Sequence, residues 1–165
     1  MFIHEMTRTE CRQALRDSVV ARLACSKNNQ PYVVPISFVL DRGYIYSFAT
    51  VGQKIEWMRA NPNVCVEIDK RDAYDRWHSV IVFGRYEELL DSKKYEAARM
   101  HAYSLLGRRV TWWEPAAVAV THRDKPHSLV PIFFRIRIEQ MTGHRASSET
   151  IPIEKPEPHH WWSRQ

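Results

Sequence analysis

A closed or nearly closed antiparallel β-barrel with helices packed on it is the fold class this sequence predicts, and three observations lead there. Runs rich in Val, Ile, Phe and Tyr recur along most of the chain, separated by short polar turns. The helical segments do not alternate regularly with these runs, as βαβ units would require. A dinucleotide-binding doubly wound sheet is disfavoured, because the chain has five Gly, none in GxGxxG spacing, and no Walker A sequence. The expectation is mainly β with helices: an antiparallel barrel of about six strands with roughly two to four packed helices.

The elements follow in order. Thr7 to Asp17 predicts a short opening helix, with Thr7 as N-cap, Glu10 at the capping-box position, and Cys11, Ala14 and Leu15 on one face. Val19 to Ser26 is the first strand and Asn28-Asn29 its turn. Pro31 to Leu40 and Gly43 to Ala49 form the next two, joined by Asp41-Arg42-Gly43. Thr50 reads as the N-cap of a helix over Val51 to Ala60, with Gln53 completing a capping box and Asn61-Pro62 stopping it. Val64 to Asp69 is a strand, and Arg71 to Arg76 is polar and loop-like. Ser79 to Leu90 is a long strand in which Gly84 marks a bend or bulge. Asp91 or Ser92 caps a helix through Leu106, with Tyr95, Ala98, Ala102 and Leu105 buried and Gly107 as its stop. Arg108 to Ser128, with Trp112-Trp113, Pro115 and several His, reads as a loop or lid. Val130 to Met141 is the last strand, with Phe134, Ile136 and Ile138 on one face and Arg135 and Arg137 on the other. The division expected is a domain over 1–145 and a C-terminal tail over 146–165 that Trp161-Trp162 could anchor.

Composition narrows the function. At 165 residues the chain is long enough for one continuous core without disulfide or metal support. Lys plus Arg outnumber Asp plus Glu by 24 to 19, and the basic residues are scattered rather than gathered in a stripe. That balance suits an anionic small molecule better than nucleic acid. His4, Glu5, Arg8 and Glu10 interrupt the apolar N-terminal residues, so no secretory leader is read, and no run approaches a bilayer span. Cys11, Cys25 and Cys65, odd in number and without a CxxC, fit structural thiols in a reduced, cytoplasmic setting.

One local feature points to a ligand. Lys54 falls in the first turn of its helix, where a cation opposes the partial positive charge of the N-terminus at a cost of about 0.3 to 1 kcal/mol. A phosphate would reverse that penalty. The Thr50 hydroxyl, the backbone N–H groups around Val51, Gly52 and Gln53, and the Lys54 ammonium would together make the anion site. The plain alternative is a surface Lys held by Glu56 or Asp69.

The motifs ARLACS (Ala21 to Ser26), YVVPISF (Tyr32 to Phe38), YSFATVGQKIEWMRANPNVCVEID (Tyr46 to Asp69), WHSVIVFGRYEEL (Trp77 to Leu89) and FFRIRIEQMTGHRA (Phe133 to Ala146) stand in one order. In this the chain resembles the FMN-binding split β-barrel superfamily of pyridoxamine 5'-phosphate oxidase, and most closely its nitroimidazole-resistance (Nim-like) branch. The resemblance implies a homodimer with flavin at the interface. It places the isoalloxazine ring along Val34, Pro35, Ile36 and Ser37, and the ribityl phosphate on Thr50, Gln53 and Lys54. Many relatives have Arg where this chain has Gln53, so one phosphate-binding cation is missing. The Arg-Leu-x-Pro ending of true pyridoxamine phosphate oxidases is replaced by PHHWWSRQ, which argues against vitamin B6 oxidation.

The function expected from the resemblance is an FMN-dependent oxidoreductase reducing a small aromatic or nitroaromatic acceptor. The alternative is a flavin- or haem-binding module, such as a carrier or sensor, without efficient turnover. The sequence shows no acid, base or nucleophile constellation, which flavin chemistry does not require. Trp112, Trp113 and Tyr46 are candidate ring or substrate stackers, though aromatics more often belong to the core. His78, His101, His122 and His127 are candidate proton donors or haem ligands, against the plainer reading of surface His. His159-His160 lacks a second cluster at metal-ligand spacing, and no metal site is expected.

Overall fold

The computed structural model describes residues 1–108 and 131–148. Within them the order is β1 (Phe2–Glu5), α1 (Arg8–Asp17), β2 (Val20–Lys27), β3 (Gln30–Ser37), β4 (Val39–Asp41), β5 (Tyr44–Ala49), α2 (Gln53–Ala60), β6 (Asn63–Ala73), β7 (Arg76–Glu88), α3 (Glu96–Gly107) and β8 (Ile132–Ser147). All strand pairs are antiparallel, in the order β3-β2-β6-β7-β8-β5-β4, with β1 on β8. The ends of this path, β3 and β4, are consecutive in the chain and joined through Phe38. Instead of a ladder closing the sheet, the Ser47 hydroxyl donates to the Ser37 carbonyl at 2.7 Å. The result is a split barrel, of the class that the alternation of β-rich runs predicts.

Its interior is filled by the alternate residues of each strand. Leu23, Ile45, Val66, Val80, Phe134 and Ile136 meet Leu15 from α1 and Ile55 and Met58 from α2. A second cluster, Val39, Tyr46, Leu89, Phe133, Ala102 and Leu106, forms under α3. Helix α1 begins as expected: Thr7 accepts from the Glu10 N–H at 3.3 Å, and the Glu10 carboxylate accepts from the Thr7 N–H at 2.7 Å. Its buried residues are Cys11, Ala14 and Leu15. Both short hairpin turns use left-handed backbone, at Asn28 and Asn29 (φ 51 and 61) and at Arg42 and Gly43 (φ 46 and 83). Gly84 lies at the break in register between β7 and β8. A Cβ there would stand 2.5 Å from the Arg137 carbonyl oxygen, so only glycine lets the strands approach this closely.

Several boundaries differ from the sequence reading. The run Pro31 to Leu40 is two strands, because the chain turns inward at Phe38, whose N–H bonds the Val19 carbonyl at 3.2 Å. The polar stretch from Arg71 is not a loop: β6 continues to Ala73, and β7 starts at Arg76, since pairing between them satisfies the backbone whatever the side chains. The third helix starts at Glu96, not after Asp91 or Ser92, because Ser92 and Tyr95 use their N–H groups in tight turns to Leu90 and Ser92. Strand β8 runs past Met141 to Ser147, so Ala146 is buried in the ladder against Ile3 and Trp77. Strand β1 precedes the first element that the sequence predicts. Among the described residues no helix is long and apolar enough to cross a membrane. The lid read over Arg108 to Ser128 and the anchor at Trp161-Trp162 lie outside the described residues, apart from Arg108 at the end of α3.

Candidate functional site

Helix α2 begins two residues later than its capping signal indicates. Strand β5 keeps its ladder to Ala49, opposite Ile132, so Thr50, Val51 and Gly52 are spent turning the chain. Gly52 is the N-cap, without a side-chain bond, and its carbonyl takes the N–H groups of Ile55 at 3.0 Å and Glu56 at 3.1 Å. Thr50 is therefore not the cap, and Gln53, the first helical residue, is not its capping-box partner. Lys54 becomes the second residue of the helix. Its cation is still in the first turn, and the exposed Thr50 and Gln53 stand on either side of the strand-to-helix turn.

Lys54 is half-buried, and that burial holds its ammonium below the ordinary Lys range. It lies near enough to Cys25 that the two affect each other: burial raises the Cys25 thiol's pKa, and the Lys54 charge opposes that rise. Among the described residues no carboxylate is within ion-pair distance of Lys54. Asp69, one of the two acids that could have held it, pairs with Arg22 across the sheet. Glu56 is exposed in the same turn and makes no ion pair with it. An amine that has lost part of its hydration without gaining a counter-ion is unfavourable unless an anion joins it.

The other candidate residues lie on β3, which among the described residues pairs only with β2, leaving its other backbone edge without a described strand partner. Ile36 is buried in the core and can offer a ligand only its backbone; Pro35 is exposed; Val34 and Ser37 are half-buried. Contacts bring this strand toward α2: the Tyr32 and Trp57 rings pack at 5.5 Å, and Cys25, the neighbour of Lys54, is the Cα partner of Tyr32. The Arg59 guanidinium grips Glu88 through two bonds of 2.7 Å, fixing the far end of α2 to β7. Tyr86 donates to the same carboxylate at 2.9 Å. Neither Cys25 nor the Tyr32–Trp57 pair was singled out from sequence, because only the register of β2 with β3 and the packing of α2 bring them there.

The outer face of the sheet continues from this edge. Register aligns Val33, Ala24, Cys65 and Phe83 in one row across four strands, and Pro35, Arg22, Glu67 and Ile81 in the next. Val33, Ile81 and Phe83 are 57%, 37% and 48% exposed. Cys65, one of the three cysteines that fit structural thiols, is half-exposed on this face.

The remaining candidates do not converge on Lys54. Tyr46 is a core residue under α3, with its ring edge-on to His101 at 5.5 Å. His101 lies 2.8 Å from the Asp41 carboxylate. His78 lines two clefts, of about 500 and 350 Å³, beside Trp77 at the far end of β7. Trp112, Trp113, His122, His127, His159 and His160 lie outside the described residues.

The family model described as pyridoxamine 5'-phosphate oxidase matches residues 7–145. An uncharacterized protein of Rhizobium meliloti is 38% identical over 146 residues, which is 88% of this chain and 97% of that protein. Among solved structures, a FAD-binding protein of Mesorhizobium loti is 42% identical with a TM-score of 0.73, covering 89% of this chain and 100% of the other. A candidate 5-nitroimidazole antibiotic resistance protein of Bacteroides thetaiotaomicron, 18% identical with a TM-score of 0.64 over 88% of this chain and 89% of its own, shares the fold.

Proposed function

The chain belongs to the pyridoxamine 5'-phosphate oxidase family, and from that premise we propose that it is a flavin-dependent oxidoreductase reducing a small aromatic or nitroaromatic acceptor. FMN is the cofactor of this reading. Its phosphate is held by Thr50, Gln53 and Lys54, and its ring lies along the backbone of Val34, Pro35, Ile36 and Ser37. The flavin supplies hydride exchange at its N5, while the chain's own residues bind and orient it. The observation that carries the reading is Lys54: a half-buried cation, without a carboxylate partner among the described residues, in the turn where helix N–H groups are free.

The Mesorhizobium loti protein is described as FAD-binding, and the same phosphate site is compatible with either flavin nucleotide. A second copy of the chain completes the site in this reading. The β3 edge without a described strand partner and the exposed Val33, Ile81 and Phe83 are continuous, so one partner surface would cover the apolar row and wall the flavin together.

The test is a spectrum and a titration. Purified protein should show flavin absorbance, and the released ligand should have the mass of FMN. FMN and FAD should bind more tightly than riboflavin, which has no phosphate, and the reduced protein should pass electrons to a nitroaromatic acceptor. A haem Soret band in place of flavin absorbance, or equal affinity for riboflavin and FMN, would overturn the assignment.

A further inference from the structure

The split in the barrel runs between the two halves of the proposed flavin site. Strand β3, along which the ring lies in that reading, is one end of the ladder path of the described strands. The other end is β4 with β5, and β5 delivers the phosphate-binding turn. No ladder joins β3 to β4 or β5. Along the sheet β2, β6, β7 and β8 all intervene between β3 and β5, so backbone pairing does not fix the width of the gap. We infer that two side-chain links across this gap, Ser47 to Ser37 and Trp57 to Tyr32, set the spacing between the ring and phosphate subsites, which makes Ser47 and Trp57 positioning residues for FMN. The inference rests on the flavin reading above.

The links fall where such a role needs them. The Ser47 hydroxyl is fully buried and donates to the Ser37 carbonyl at 2.7 Å, satisfying an acceptor that no ladder reaches. The Trp57 and Tyr32 rings pack at 5.5 Å with their planes 56° apart, a favourable arrangement for an aromatic pair. On β3, the anchored Tyr32 and Ser37 bound the ring segment Val34 to Ser37. On the other side of the gap, Ser47 precedes Thr50 near the end of β5, and Trp57 follows Lys54 by about one turn of α2. Both subsites are thus held at both of their ends. Helix α2 is also rooted by Ile55 and Met58 in the core, and Asn61 donates to the Ser26 carbonyl at 3.1 Å. Loss of one link should therefore alter the gap without unfolding the barrel.

FMN attaches at two points joined by its ribityl chain, and the second attachment gains from effective concentration only while the two points match the span of that chain. Riboflavin attaches through its ring alone and does not sense the spacing. Titration of flavin fluorescence with full-length parent protein, Ser47→Ala, Trp57→Ala, Trp57→Phe and Val82→Ala tests the inference. The parent should prefer FMN to riboflavin. Ser47→Ala and Trp57→Ala should each cut that preference about tenfold, chiefly by weakening FMN. Trp57→Phe keeps a ring against Tyr32 and should retain most of it. Val82→Ala leaves a cavity in the core under β7, so it should lower the melting temperature and leave the preference unchanged. A preference for FMN that survives both Ser47→Ala and Trp57→Ala, or that falls as far in Val82→Ala, overturns this inference alone. Equal affinity of the parent for the two flavins overturns the flavin reading and this inference with it.

Discussion

Lys54 bears a charge that its own helix opposes and that no described carboxylate offsets, so its removal should harm ligand binding more than folding. Lys54→Ala should lower FMN affinity by about 1.5 to 3 kcal/mol, ten- to a hundredfold, and leave riboflavin affinity unchanged. Apo stability should hold or rise slightly, since a cation facing the helix dipole has gone. Equal losses for FMN and riboflavin would remove the phosphate from this site. Gln53→Arg, at the exposed first helical position, should act in the opposite sense and tighten FMN. A pH dependence follows from the same residue. Burial lowers the Lys54 pKa below its ordinary 10.5, so the unfolded chain holds this proton more tightly than the folded apo protein does. In the window between the lowered value and 10.5, apo stability should therefore gain from Lys54 as pH rises. FMN affinity should fall across that window as the ammonium is lost, while riboflavin affinity stays level. The cation and its awkward helix position were legible in the sequence, because both depend on neighbours in the chain. Its half-burial beside Cys25 and the pairing of Asp69 with Arg22 were not, because β-sheet register and packing determine them.

Elements whose signals are local were read closely, and those that depend on distant pairing were not. Helix α1 has a complete capping box and three buried residues at helical spacing, and both were read from the sequence. Thr7→Ala should cost about 1 kcal/mol and lower the melting temperature accordingly. At Thr50 an equally good cap-and-Gln pattern failed, because β5 stays hydrogen-bonded to β8 through Ala49 and the helix waits for Gly52. Strand β1 has four residues, none fully buried, and is held by β8, so no pattern within it announces a strand. The opposite case is Gly84, where a lone glycine in an apolar run correctly marked an irregularity. The break arises because β8 carries an additional residue, Glu139, between the partners of Gly84 and Phe83. Gly84→Ala would press a methyl group into the Arg137 backbone and the Ile136 side chain. Since backbone cannot yield as a flexible side chain can, a loss of about 1 to 3 kcal/mol is expected in chemical denaturation. A change within measurement error would mean that the bulge relaxes freely.

At the scale of the molecule, the sheet has one face committed to the core and another that is only partly polar. Val33, Ala24, Cys65 and Phe83 come from four strands and meet only through register, which is why sequence indicated an apolar β7 but not the row it joins. Phe83 is nearly half exposed, and the β3 edge without a described strand partner continues the same surface. A second copy placed there would cover the row and wall the proposed flavin strand, so dimerisation and cofactor binding should be coupled. Light scattering should give a dimer at micromolar concentration. Phe83→Lys places a charge where the partner would exclude water and should shift the protein toward monomer. Because the side chain points away from the core, the monomer should remain folded, with near-native far-UV circular dichroism. FMN affinity should fall with the dimer fraction, although Phe83 belongs to neither the phosphate-binding nor the ring-binding segment, and raising the protein concentration should partly restore it. A wild-type monomer with full flavin occupancy would break that coupling, as would a Phe83→Lys dimer with unaltered affinity, and the second copy would then have to lie on another surface.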